Sequence, residues 1–177
     1  NKHDLFLLNH NSENDYFIDE GGKSELGLLG CSEIIDELKN EYDHIFVASG
    51  TGTTVAGIQL GIQQKKLKTT VHSIPVLKGA DHLLDEFSNW EIDTQKIKLH
   101  LDYHCSGYAK TTPELISFIQ QFIESTGIMI EPTYTGKLMY AVFDLLEKDY
   151  FKPNSKILVI HTGGLTGLLG YLDKFNR

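Results

Sequence analysis

An α/β domain, with a parallel sheet covered by helices on both faces, is the fold that this sequence predicts. Short apolar runs of strand length alternate with segments whose apolar residues recur at helical spacing. A turn built wholly from Ser, Gly and Thr, SGTGTT, joins a strand at 45–48 to a helix carrying Val55, Ile58 and Ile62. Two further polar segments, EPTYTGK and HTGG, also follow strand-like runs, and ligands of parallel sheets collect at such strand ends.

The elements follow in order. Residues 4–8 and 15–18 read as short strand pieces around the polar turn HNSEN. Ser24 and Glu25 open a helix with Leu28, Cys31, Ile34, Ile35 and Leu38 on one face, ending at Lys39 and Asn40. After the central strand, turn and helix, residues 69–76 form a β-rich run and 80–87 a short helix. Residues 97–101 alternate apolar and polar as a half-buried strand does. Thr112 is placed as an N-cap, with Pro113 at the first helical position and Glu114 in the positive first turn. Leu115, Phe118, Ile119 and Phe122 give that helix its apolar face. The run 128–130 precedes EPTYTGK, and Leu138, Val142, Leu145 and Leu146 mark the next helix. Residues 156–160 form the last strong strand, and HTGG turns it into a terminal helix over 165–175.

The 177 residues suit a single α/β domain with one well-buried core. A net charge of −8, with lysines scattered rather than striped, argues against nucleic acid as a partner. No apolar run approaches spanning length, so no membrane association is expected, and the start NKHDLF has no secretory pattern, so a cytoplasmic location is expected. Cys31 and Cys105 are too few for a disulfide framework or a cysteine-rich metal site.

The turn after the central strand suits one task. Glycines bring backbone N–H groups close to an anion, threonine hydroxyls add donors, and the helix N-terminus adds its positive dipole end. A Walker loop is excluded because no lysine follows Gly52. The dinucleotide fingerprint fails as well: its third glycine would fall at Val55, and no acidic residue stands near position 70. What is left is a lysine-free phosphate cup formed by Gly50, Thr51, Gly52, Thr53 and Thr54, the plainer alternative being a bare strand-to-helix turn. His100, Asp102, His104 and Cys105 are the densest group of metal-ligand types, but no second ligand pair with zinc spacing accompanies them, so no metal is expected. A Ser-His-Asp hydrolase is disfavoured because Ser49 lacks the glycine that a nucleophile elbow requires. Tyr134 and Thr135, between a strand end and a helix start, are expected to aim two hydroxyls into the sheet crevice, with Tyr108 joining them. His161, closing the last strand, is the histidine expected to be buried near the site.

The segments GGKSELGLLG, VASGTGTTVAG, CSGYAKTTPE, MIEPTYTGKLMYAV and ILVIHTGG, in this order and spacing, resemble the pyridoxal-phosphate enzymes that include 1-aminocyclopropane-1-carboxylate deaminase and D-cysteine desulfhydrase. The resemblance covers residues 16–171. It implies a fold-type-II enzyme whose larger domain is Rossmann-like, and pyridoxal 5'-phosphate as cofactor, its phosphate held at Gly50, Thr51, Gly52, Thr53 and Thr54. It also implies a small amino-acid substrate and a homodimer. Thr162, and with it Thr135, is expected at the pyridine nitrogen, with Tyr134 and Tyr108 on the substrate side.

Two departures refine this. The family's cofactor-anchoring lysine lies in an N-terminal portion that nothing here matches, so the chain is expected to be the later part of a larger enzyme, lacking that segment and the smaller domain. Lys23 and Lys137 lie near site segments, but no family motif gives either one that job. The deaminases resemble Tyr-Glu-Gly-Lys and His-Leu-Gly-Gly at turns where this chain has Thr135 and Thr162. A hydroxyl at the pyridine nitrogen favours the desulfhydrase pattern, proton removal at Cα and β-elimination of a thiol. The deaminase is the alternative, and a non-catalytic phosphate-ligand binding module or inactive remnant the alternative of another class.

Overall fold

The computed structural model describes residues 17–171 and 173. Nine elements build it: α1 (Glu25–Ser32), β1 (His44–Ser49), α2 (Thr53–Gln64), β2 (Thr70–Pro75), α3 (Leu83–Asn89), β3 (Ile97–Leu99), α4 (Pro113–Thr126), α5 (Thr135–Glu147) and β4 (Ile157–Val159), with short 3₁₀ turns in half of the connections. The strands form one sheet in the order β3-β2-β1-β4, every pair parallel.

Alternation along the strands sorts the core onto two faces. Ile45 and Val47 of β1 and Val71 of β2 join Val55, Ile58 and Ile62 of α2, Leu28 of α1 and Phe87 of α3 on one side. Phe46 and Ala48, displaced by one residue, face Leu138, Ala141, Val142 and Leu145 of α5 on the other. The helix α4 packs outside α5 through Leu115, Ile119 and Phe122, with Ile130 completing that cluster. Strands buried on both faces by crossover helices explain the nearly continuous apolar character of β1 and β2.

The local signals hold where they are strongest. Ser24 caps α1, its hydroxyl accepting from the Gly27 N–H at 3.0 Å, and Thr112 caps α4, accepting from Leu115 N–H at 3.3 Å. Gly127 ends α4 in the left-handed region at φ 70°. Elsewhere tertiary context shortens what the pattern predicts. The first helix tightens into a 3₁₀ turn over Glu33–Ile35 instead of running to Lys39. The strand expected over 97–101 ends at Leu99, because the chain turns into 3₁₀ geometry at Leu101–His104. The run 128–130 is not a strand, and Ile128 and Met129 are exposed. The terminal helix is 3₁₀ over Leu165–Tyr171. The strand expected at 4–8 lies outside the described residues, as do the first part of 15–18 and the end of 165–175. Phe17 and Ile18 are exposed and belong to no strand.

This order also creates the crevice. From β1 the chain moves to β2 and β3 on one side, then returns to β4 on the other. The segments leaving the carboxyl ends of β1 and β4 therefore diverge, which is where open parallel sheets bind ligands.

Candidate active site

A cleft of about 650 Å³ opens over the carboxyl end of β1. Its floor is the cup itself: Gly50, Thr51, Gly52, Thr53 and Thr54 all line it, as do Tyr108, Tyr134 and Thr162. Eight of the nine residues expected at the site are thus brought together.

The cup is shaped by backbone. Gly52 stands before α2 at φ 85°, and a Cβ there would fall 2.7 Å from the Phe87 ring, so both its conformation and its surroundings require glycine. Among the described residues no side chain caps the first turn of α2, which leaves N–H groups of that turn to a ligand or solvent. The Thr51 and Thr53 hydroxyls lie 3.2 Å apart at this helix start. Beneath them the buried Ser49 and Ser73 hydroxyls, 2.7 Å apart, tie the ends of β1 and β2 together. An uncapped helix N-terminus, paired hydroxyls and a glycine cradle are the donor set that a phosphate monoester requires.

Opposite the cup stands Tyr134, at the N-cap position of α5. Its phenol reaches toward Gly50, where a Cβ would lie 3.3 Å from the hydroxyl. Tyr108 meets it edge to face at 6.0 Å between ring centroids. Burial first, then the hydrogen bond to Tyr108, push the Tyr134 phenol up to about 12, so it is a proton donor rather than a phenolate at neutral pH.

What holds Tyr134 was not evident from the pattern. Glu131, 1% exposed, turns its carboxylate under the start of α5 and accepts from three backbone N–H groups: Thr133 at 2.6 Å, Tyr134 at 2.6 Å and Thr135 at 2.8 Å. It is a cap supplied from before the helix, favoured by the dipole. Gly167 of the segment after β4 lies over the same carboxylate, a Cβ there being 3.4 Å from Oε2.

Thr135 is the expected site residue that the geometry does not bring in. It is 1% exposed, its Oγ1 accepts from the Glu131 N–H at 2.9 Å, and it does not line the cleft. Its hydroxyl closes the helix cap that Glu131 opens. His161 is a correction as well: it is exposed, with Nε2 2.8 Å from the Met129 carbonyl oxygen and Nδ1 accepting from Gly163 N–H. It fastens the turn after β4 from outside, while Thr162 presents to the cleft. Lys23 lines the cleft and is paired with Glu86 at 2.8 Å, whereas Lys137 is fully buried. Asp19, Glu20 and Gly21 form a wall of the cleft, of which the GGKSELGLLG motif carries only Gly21. Among the described residues no group of three or more His, Cys, Asp or Glu is placed to hold a metal ion. His100 turns instead to His72, and no described helix is long and apolar enough to cross a membrane.

Fold and cleft together define an open parallel α/β domain with a ligand-sized cleft at its switch point. Residues 6–163 match the family described as pyridoxal-phosphate dependent enzyme, and the chain belongs to that family. It is 33% identical over 184 residues to the bifunctional D-cysteine desulfhydrase/1-aminocyclopropane-1-carboxylate deaminase, mitochondrial, of Arabidopsis thaliana, covering 94% of this chain and 46% of that one. It is 29% identical over 171 residues to the D-cysteine desulfhydrase of Klebsiella pneumoniae, covering 88% and 52%. A crystal structure of an ACC deaminase homologue superposes with a TM-score of 0.84 at 27% identity, over 99% of this chain and 57% of that one. The chain spans about half the length of the relatives it matches. The family's cofactor suits the residues present, since the uncapped start of α2 and its hydroxyls provide the phosphate donors and the cleft above them provides the room.

Proposed function

We propose that the protein containing this chain is a pyridoxal-phosphate-dependent lyase of the D-cysteine desulfhydrase type, acting on a small amino acid. The observation that carries this reading is the cleft that places the Thr51 and Thr53 hydroxyls, the uncapped start of α2, the Tyr134 phenol and Thr162 around one volume. Pyridoxal phosphate, when bound, supplies an electron sink for the charge left at Cα after its proton is removed. Gly50, Thr51, Gly52, Thr53 and Thr54 bind the phosphate and fix the orientation of the ring. Thr162 offers a hydroxyl rather than a carboxylate at the far side of the cleft, which keeps the pyridine nitrogen closer to neutral. The Tyr134 phenol, protonated at neutral pH, donates to the departing sulfur, and Tyr108 orients that phenol. Leu77 and Leu83 give the cleft an apolar side.

In balance, D-cysteine and water yield hydrogen sulfide, ammonia and a 2-oxo acid, the C–S bond breaking after the Cα–H bond. The anchoring lysine is assigned to a part of the protein outside these residues, because Lys137 is buried with its ammonium bonded to a carbonyl and Lys23 is ion-paired. A homodimer, supported by the family resemblance, and a cytoplasmic location complete the proposal. Sedimentation and cell fractionation of the natural gene product check those two points.

Deamination of 1-aminocyclopropane-1-carboxylate is the second reading, favoured by the bifunctional plant relative. The natural gene product, assayed with both compounds, separates the two. Sulfide release from D-cysteine with little 2-oxo acid from the cyclopropane supports the first reading, and the reverse selectivity supports the second. Neither product from the cofactor-loaded protein would favour a phosphate-ligand binding module.

A further inference from the structure

The segment 105–109, which carries Tyr108, has a costly backbone. Cys105, Ser106 and Ala109 all have positive φ, at 48°, 74° and 52°, and Gly107 sits at 116°. Residues with a Cβ resist that region, so such a loop persists only where its surroundings over-determine it. One side chain supplies much of that determination. Lys137, on the first turn of α5, is 0% exposed and donates from Nζ to the Gly107 carbonyl oxygen at 2.8 Å. The same carbonyl accepts from the Lys110 N–H at 3.1 Å. Tyr171 donates from its hydroxyl to the Ala109 carbonyl oxygen at 2.9 Å, fastening the far end.

A buried lysine is an expensive way to make one hydrogen bond, because an ammonium loses its hydration. Burial indeed lowers the Lys137 pKa, opposed by the nearby Cys105 and Glu131. The gain lies in geometry. Lys137 stands three residues beyond Tyr134 on the helix whose start Glu131 caps, so one rigid element sets both partners of the Tyr108–Tyr134 contact.

We propose that Lys137 is a positioning residue of the site, which latches the strained 105–109 loop to α5 and so holds Tyr108 against Tyr134. This deepens the function proposed above and rests on its assignment of the two phenols, but the latch itself is testable without activity.

The test is amide hydrogen exchange on the cofactor-free natural gene product, wild type against Lys137→Met, which keeps length and removes the donor. The expected result is at least tenfold faster exchange at Gly107 and Lys110, with the amides of β1 and β2 unchanged. Unchanged exchange at Gly107 and Lys110 would overturn the latch. If Lys137→Met does not fold, Lys137→Leu, which also lacks a donor, is read in the same way. Turnover then separates the two levels of the argument. Lys137→Met should lower kcat about tenfold with little change in KM, and should add less than twofold in a Tyr108→Phe background, as expected when one residue acts through another. Full additivity would show that Lys137 does not act through Tyr108. A Tyr108→Phe variant with unaltered kcat, alongside accelerated loop exchange in Lys137→Met, would instead remove Tyr108 from the function proposed above and leave the latch standing.

Discussion

Gly21 lies against Thr51 so closely that a Cβ on the glycine would fall 2.2 Å from the threonine Oγ1. Gly21 also adopts φ 69°, which L residues resist by about 1–2 kcal/mol. The wall before α1 thereby sets the rotamer of a cup hydroxyl. Gly21→Ala in the natural gene product should weaken pyridoxal phosphate binding by about tenfold, roughly 1.4 kcal/mol, because Thr51 must move. A titration of cofactor absorbance measures it, and unchanged affinity would detach Thr51 from the phosphate.

Tyr134→Phe should separate binding from chemistry. The ring still packs beside Gly50 and Tyr108, so cofactor affinity should change less than about threefold, while loss of the donor should cost on the order of 10²-fold or more in kcat. Parallel cofactor titrations and sulfide-release kinetics decide this. Equal kcat in wild type and variant would remove the phenol from the reaction.

How much of this was legible follows from range. The strand, turn and helix around Gly52 and the Thr112-Pro113-Glu114 start of α4 are local devices, written in consecutive residues, and both are found where the sequence places them. Glu131 is passed over and Lys137 is given no role, because a charged residue in a polar turn or on a helix normally faces water; only the assembled fold shows both buried. The turn at Thr135 shows the same limit, since its hydroxyl had two possible targets and the nearer, Glu131, takes it. The histidine row was invisible for another reason. His44, His72 and His100 are 28 residues apart, a spacing set by crossover lengths, and only the strand register brings their rings together.

That row makes acid stability a readout of the fold. His72 is fully buried, stacked on Phe46 at 4.1 Å between centroids, with its Nδ1 2.8 Å from His100 Nε2 and its Nε2 3.0 Å from His44 Nδ1. Burial, then the neighbouring His100, His44 and Lys98, lower it from 6.5 to about 3, and burial, then Lys98, lowers His100 to about 4. Both are neutral in the fold, whereas the unfolded chain takes up their protons as pH falls below 6.5. Stability is therefore full above that value and declines on acidification toward 4 and then 3. Denaturant titrations from pH 7 to 4 should show it, and His72→Gln should flatten the slope by up to about 1.4 kcal/mol per pH unit. An unchanged slope would mean that His72 is already protonated in the folded state.

Gln59 on α2 is 0% exposed, and its side-chain nitrogen and oxygen have no hydrogen-bond partner among the described residues. Replacing a buried unpaired amide by an apolar group of similar size removes a desolvation cost, so Gln59→Leu should raise unfolding stability by about 1 kcal/mol. Thermal or urea unfolding measures this, and destabilisation would show that the amide has a partner in solution.

The phosphate cup is the claim on which the others depend, and crystals grown with inorganic phosphate test it most directly. The account predicts tetrahedral density at the start of α2, against the backbone N–H groups of Gly50, Thr51, Gly52, Thr53 and Thr54 and within reach of the threonine hydroxyls. Anion density reproducibly elsewhere, with this turn closed on its own side chains, would contradict it.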